Sequence, residues 1–125
     1  MTQSLVPYFS ILLVDDEPAW LRSVSLTLAR AGINNILTSS DSREVPEILA
    51  RGKVKLVLLD LTMPHLPGEA LLTLIGERHP EITTIVVSGL NQLETAVRCM
   101  KLGAFDYFIK TDEEDRIVGA VLRAG

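Results

Sequence analysis

The chain alternates short apolar runs with stretches in which apolar residues recur every three or four positions. Short apolar runs bounded by turn residues are typical of strands buried on both faces, and the longer spacing is typical of amphipathic helices. The predicted strands cover residues 11–14, 35–39, 55–60, 84–88 and 106–109. The predicted helices cover residues 18–31, a segment around 45–49, a segment from 68 to before 80, residues 92–102 and a segment from 112.

This alternation of strand and helix predicts a doubly wound α/β fold with a single parallel sheet, because parallel neighbours need a crossover over one face. Five strands favour the flavodoxin-like (βα)5 layout with strand order 2-1-3-4-5. The length of 125 residues is in the usual range for one domain, so we expect residues 1–125 to form one unit, with residues 1–9 as an N-terminal arm.

The fourth predicted helix carries an apolar stripe that we expect to face the core. The stripe consists of Leu93, Ala96, Val97 and Met100. Cys99, next to it, is predicted to be a small filler or a half-exposed thiol.

Polar residues stand at the ends of four predicted strands: Asp15 and Asp16, Asp60, Ser88 and Lys110. In parallel sheets, ligands collect beyond the carboxyl ends of the strands, so we expect these side chains to meet there. Carboxylate oxygens are the hard ligands that Mg²⁺ prefers, while hydroxyl and ammonium groups bind phosphoryl oxygens. The pattern therefore predicts Mg²⁺-assisted phosphoryl chemistry.

Each of these residues also has a plainer interpretation. Asp15, Asp16 and Glu17 could simply favour the positive N-terminus of the next helix. Asp60 could be an ordinary loop carboxylate, Ser88 could cap a turn, and Lys110 could be a surface ammonium. The joint placement of all of them at strand ends favours one site over four unrelated explanations.

Composition and charge limit the classes of function that we expect for this chain. Hydrophobic residues make up 47% and aromatics 5%, so the core should be aliphatic, as in a sheet covered by helices. The net charge of −4 without a block of basic residues gives no reason to expect direct binding to nucleic acid or an anionic membrane. One cysteine, no signal-peptide pattern and no apolar segment of about 20 residues favour a soluble protein of the reducing cytoplasm.

The chain resembles the receiver domain of bacterial two-component response regulators over nearly its whole length. The resemblance is carried by VDDE at 14–17, LDLTMP at 59–64, PG at 67–68, SG at 88–89 and GAFDYFIK at 103–110. The stretch 95–104 also resembles receivers placed ahead of ATPase-type transcription activators. This similarity implies a sensor histidine kinase as donor, an output domain in a longer parent chain or a separate effector, and a phosphorylation-dependent dimer as a further option.

The resemblance implies a role for each site residue. Asp60 is the expected phosphoacceptor, with a histidine kinase or a small phosphodonor supplying the phosphoryl group. Asp16 is expected to bind Mg²⁺ directly, Asp15 partly through water, and the backbone carbonyl of Thr62 to supply a further oxygen. Lys110 is expected to pair with a phosphoryl oxygen. The domain would catalyse its own phosphorylation and dephosphorylation without being a turnover enzyme.

Two further residues are implied as a switch. The hydroxyl of Ser88 is expected to bond to the new phosphoryl group, and the aromatic ring of Tyr107 to pack inward behind it. The surface formed by the fourth helix, fifth strand and fifth helix is then the expected output surface.

One position departs from the family: Thr111 follows Lys110 where receivers usually carry a proline with a cis peptide bond before it. A cis bond before a non-proline residue costs about 3 kcal/mol. We therefore expect a trans Lys110–Thr111 bond with activity retained.

Other functions remain as alternatives. Phosphotransferases of the haloacid dehalogenase type need a second carboxylate where this chain has Thr62, and no glycine-rich nucleotide motif occurs. A receiver-like interaction module that works without phosphorylation is the remaining alternative. Trp20, predicted to lie near Asp16, could report cation binding by fluorescence.

Overall fold

A five-stranded parallel sheet forms the centre of the computed structural model, which describes residues 10–89 and 91–124. The strand order is 2-1-3-4-5, so the predicted order and fold class are confirmed. Each observed strand end lies within one residue of its predicted position. The expected arm at residues 1–9 lies outside the described residues. The strands are β1 (Ser10–Val14), β2 (Ile36–Ser39), β3 (Val54–Leu59), β4 (Thr83–Ser88) and β5 (Asp106–Ile109).

Five α-helices cover the two faces of this sheet in the described part of the chain, and a short 3-10 helix (Ser42–Glu44) leads directly into the second. None of the described helices has the length and apolarity needed to cross a bilayer. The helices are α1 (Pro18–Arg30), α2 (Val45–Ala50), α3 (Gly68–Arg78), α4 (Leu93–Lys101) and α5 (Glu114–Ala124).

Alternate residues of the strands supply two separate cores, as the two-residue period of a strand requires. Leu12 and Val14 of β1 pack in the core under α2, α3 and α4. Ile11 and Leu13 of the same strand pack in the core under α1 and α5. Both cores are mainly aliphatic, as the composition predicts, and Phe108 is a buried aromatic residue of the second.

The prediction for the buried face of α4 is wrong. Leu93, Val97 and Met100 are 80%, 43% and 47% exposed, whereas Thr95 and Cys99 are buried. These two small residues are four positions apart and therefore share the face that lies on the sheet. The helix thus packs through its small residues and presents its bulky apolar stripe outward. Cys99 is the small filler that the sequence allowed, and it is fully buried.

Gly68 brings the start of α3 against the backbone that follows β3. A Cβ atom on this residue would lie 2.4 Å from Leu61 Cα and 2.9 Å from the Asp60 carbonyl oxygen. Such distances are shorter than any normal contact, so the close approach requires glycine. The position of α3 is therefore coupled to the segment that carries Asp60.

We predict that Gly68→Ala destabilises the domain by about 2 to 3 kcal/mol, because the methyl group must displace rigid backbone. Gly76→Ala on the same helix is the control. Its Cβ would lie at an ordinary 3.6 Å from the Leu102 carbonyl oxygen, so we expect a gain of about 0.5 to 1 kcal/mol. Urea unfolding of both variants measures the difference. Equal stability of the two variants would show that the approach at Gly68 is not tight.

We predict that the Cys99 thiol of the folded domain reacts slowly with a thiol reagent such as DTNB. The side chain is buried, and burial raises the pKa of the thiol above its ordinary value of 9.0. The thiolate fraction, and with it the rate, should rise about tenfold per pH unit between pH 7 and 9. Urea-unfolded protein, which should react much faster, is the control. Rapid and complete modification of the folded protein would contradict the packing of α4.

Candidate functional site

The sheet fixes the backbone of three predicted site residues. Each stands one position beyond a strand, and its N–H group continues the hydrogen-bond ladder to the neighbouring strand. These bonds run from Asp15 to the Ser39 carbonyl (3.1 Å), from Asp60 to the Val14 carbonyl (2.9 Å) and from Lys110 to the Ser88 carbonyl (2.8 Å). The convergence that the strand pattern predicts is therefore built into the main chain.

Asp15, Asp16 and Asp60 form an acidic cluster whose oxygens lie within 4.8 Å of one another. Asp15 and Asp60 are buried, at 0% and 2% exposure, and Asp16 is exposed. The Oδ2 atom of Asp60 is buried and has no hydrogen-bond donor among the described residues. Because a buried carboxylate oxygen without a partner is costly, a divalent cation at this cluster would satisfy a real deficit. The donor set of three carboxylates fits such an ion.

Lys110 supplies positive charge to the same site. Its Nζ atom lies 2.9 Å from Asp15 Oδ2, donates a hydrogen bond to Asp15 Oδ1 at 3.1 Å, and lies 3.8 Å from Asp60 Oδ2. It also donates to Oε1 of Glu17. Burial lowers the pKa of Lys110, but the bonds to Asp15 and Glu17 outweigh it and raise the pKa above its usual value. The side chain is therefore a fixed ammonium group.

The environment of Asp15 disfavours the charged form of its carboxyl group. Burial raises its pKa above the usual 3.8, although Lys110 and the N–H of Glu17 both donate hydrogen bonds to it. The negative charge of Asp60 raises the pKa further. Without a cation, the site thus holds more buried negative charge than Lys110 compensates.

Thr62 orients the Asp60 carboxylate. Its N–H and its hydroxyl both donate hydrogen bonds to Asp60 Oδ1, at 3.2 Å and 3.0 Å. One oxygen is therefore held, while Oδ2 faces Lys110. The expected role of the Thr62 backbone carbonyl as a metal ligand stays a prediction.

Ser88 and Tyr107 are hydrogen-bonded to each other through their side chains. Ser88 is fully buried at the end of β4, and Tyr107 packs against the core under α2, α3 and α4. Burial raises the pKa of the Tyr107 hydroxyl above its usual value. Tyr107 is thus partly buried, and the switch role of Ser88 and Tyr107 stays a prediction.

The Lys110–Thr111 peptide bond is trans, as expected, since no cis bond occurs within residues 10–89 and 91–124. Lys110 nevertheless lies in the site, within 4 Å of both Asp15 and Asp60. A threonine after the lysine is therefore compatible with an assembled site.

Two contacts of Lys110 were not expected from the sequence. Glu17, considered there only as a helix-end charge, binds the ammonium group directly. The ring of Trp20 lies 5.4 Å from the same nitrogen, measured to the ring centre. The only signal for Glu17 is its place after the two aspartates; its partner is 93 residues away, which no local pattern reveals.

Two known proteins are similar to this chain in sequence. The chain is 33% identical over 113 residues to the response regulator protein FleR of Pseudomonas aeruginosa, and 35% identical over 114 residues to the DNA-binding transcriptional regulator NtrC of Escherichia coli. The matches cover 90% and 91% of this chain but only 24% of each relative. The chain therefore spans about a quarter of the length of these proteins.

A solved structure shares the whole architecture. A chain in the crystal structure of the CheX-CheY-BeF3-Mg²⁺ complex from Borrelia burgdorferi superposes with a TM-score of 0.84 at 25% identity, covering 94% of this chain and 89% of that one. The family model of the response regulator receiver domain matches residues 11–122, so this chain belongs to the response regulator receiver domains.

Proposed function

We propose that this domain is a phosphorylation-switched signalling module that accepts a phosphoryl group on Asp60. The observation that carries the proposal is Asp60 Oδ2, a buried carboxylate oxygen without a hydrogen-bond donor, facing an ammonium group beside two further carboxylates. A carboxylate so placed can act as a nucleophile toward phosphorus. The phosphoryl-modified aspartate would be a signalling state, and the domain would not be a turnover enzyme.

In the proposed reaction, Asp60 Oδ2 forms a bond to phosphorus as the bond from phosphorus to the donor breaks. The donor is the phosphohistidine of a sensor histidine kinase or a small molecule such as acetyl phosphate. The leaving group carries away the bonding electron pair: the histidine nitrogen takes up a proton from solvent, whereas the acetate released from acetyl phosphate leaves as an anion. Lys110 stabilises the negative charge on the phosphoryl oxygens during the transfer. Hydrolysis of the acyl phosphate by water, also promoted by this site, would reset it.

We assign Mg²⁺ to the acidic cluster, with Asp16 and Asp60 as direct ligands, Asp15 partly through water, and the Thr62 carbonyl as a further ligand. Mg²⁺ when bound would neutralise phosphoryl oxygens as charge shifts between donor and acceptor. Its preference for oxygen ligands with waters retained suits this mixture of buried and exposed carboxylates.

Ser88 and Tyr107 would convert the chemical change into a conformational one. A phosphoryl group on Asp60 adds strong acceptors, so the Ser88 hydroxyl would turn from Tyr107 toward it. The Tyr107 side chain would then repack. The phosphoryl group would in this way shift the balance between two arrangements of the surface near Tyr107. The surface formed by α4, β5 and α5 would carry the output.

The exposed stripe of α4 supports this assignment. Leu93, Val97 and Met100 form an apolar face on a helix held to the sheet through small residues. A partner that covers this face would remove apolar surface from water. We propose that the partner is an output domain of a longer parent chain or a separate effector, or a second receiver in a phosphorylation-dependent dimer.

The relatives suggest the output. One relative is by name a DNA-binding transcriptional regulator, so we propose that this domain regulates transcription through the rest of its parent protein. The receiver itself would contact neither nucleic acid nor membrane. We place it in the cytoplasm, where its single cysteine stays reduced.

We predict that Mg²⁺ stabilises the domain against thermal unfolding, because the ion binds a cluster that only the folded chain assembles. At tenfold excess over its dissociation constant the gain should be about 1.4 kcal/mol. Asp16→Asn should abolish most of the gain, whereas Glu77→Gln, an exposed acid on α3, should leave it unchanged. A shift that is equal in all three proteins would indicate a non-specific salt effect.

We predict that incubation with acetyl phosphate and Mg²⁺ adds one phosphoryl group, detected by intact mass spectrometry. The adduct should be absent in Asp60→Asn and should require Mg²⁺. An absence of adduct in a protein that binds Mg²⁺ would reject the phosphoacceptor. The alternative of a phosphorylation-independent interaction module would then be favoured.

A further inference from the structure

The ammonium group of Lys110 directs its hydrogen bonds away from Asp60, the proposed phosphoacceptor. It donates to Asp15 and to Glu17, while Asp60 Oδ2 lies 3.8 Å away, beyond hydrogen-bond distance. The Lys110 side chain is 15% exposed and that of Glu17 is 61% exposed. The exposed carboxylate therefore competes with Asp60 for the same cation.

Glu17 reaches Lys110 instead of serving its own helix. It directly precedes α1, yet its side chain makes no capping hydrogen bond to that helix. One turn further along α1, the Trp20 ring lies 5.4 Å from Lys110 Nζ. A cation at that distance from an indole ring is attracted by the ring face. Glu17 and Trp20 at the start of α1 thus form a binding position for the ammonium group that is separate from Asp60.

We infer that Glu17 is a positioning residue that withholds Lys110 from Asp60 and its phosphoryl group. The inference rests on the proposed function. Phosphorylation would require the ammonium group to leave Glu17 and close the gap to the acceptor. An exposed ion pair is weak, so a phosphoryl group with more charge can displace it. Glu17 would thus lower the rate of phosphorylation without blocking it.

Two substitutions separate the effect of the Glu17 contact with Lys110 from the effect of the Glu17 charge. Glu17→Gln removes the charge and keeps the length. Glu17→Asp keeps the charge but shortens the side chain by one methylene, and an aspartate before a helix favours capping that helix. Both variants should be phosphorylated by acetyl phosphate about two- to fivefold faster than the unchanged domain at saturating Mg²⁺, which is the range expected for losing one exposed pair.

Glu113 offers a matched control. It is an exposed glutamate that directly precedes α5, as Glu17 precedes α1. Glu113→Asp and Glu113→Gln should leave the rate unchanged. If Glu17→Gln accelerates the reaction but Glu17→Asp does not, charge alone matters and the positioning role is overturned.

A double-mutant cycle tests whether Glu17 acts through Lys110. In a Lys110→Met background, followed over hours at high acetyl phosphate, Glu17→Asp should no longer change the rate. An unchanged acceleration in that background, or a slower reaction of Glu17→Asp alone, would overturn the inference. If the unchanged domain forms no adduct, the proposed function fails; if it does and Glu17→Asp matches it, only the role of Glu17 fails.

Discussion

The site depends on the register between β1 and β3. Val14 pairs with Leu59, so the residues that follow them, Asp15 and Asp60, leave the sheet side by side. A slip of one residue would turn every side chain of a strand to the opposite face and exchange the two cores. Such a slip would also carry Asp15 away from Asp60, so the distance between the two carboxylates depends on this register.

Charge within the site opposes the stability of the fold. Because burial raises the pKa of Asp15 above its value in an unfolded chain, the folded state binds more protons in the interval between the two values. Stability is consequently lost as the pH rises through that interval. Lys110 offsets part of this cost. A chain optimised only to fold would not place two carboxylates there, which is how functional sites commonly depart from the rules that hold elsewhere.

The sequence predicts the elements whose environment is uniform. The inner strands β1, β3 and β4 are buried on both faces, so apolar runs locate them, and Asp15 and Asp60 follow at the ends of β1 and β3. The short apolar run of the edge strand β5 locates Lys110 in the same way. The sequence does not predict the buried face of α4, because an apolar stripe has the same pattern whether it packs on the sheet or is exposed. Thr95 and Cys99, which do pack on the sheet, form no apolar pattern of their own. The contact of Glu17 with Lys110 depends on side-chain reach between distant segments, which no local period encodes.

The orientation of α4 sets the solubility of the separate domain against its ability to bind a partner. Polar substitutions on its outer face would make a domain studied alone more tolerant of high concentration, since its largest apolar side chains would no longer meet water. The same changes would remove the surface that a partner could recognise. An engineer improving the separate domain would therefore replace the very side chains that binding of a partner to this helix would need.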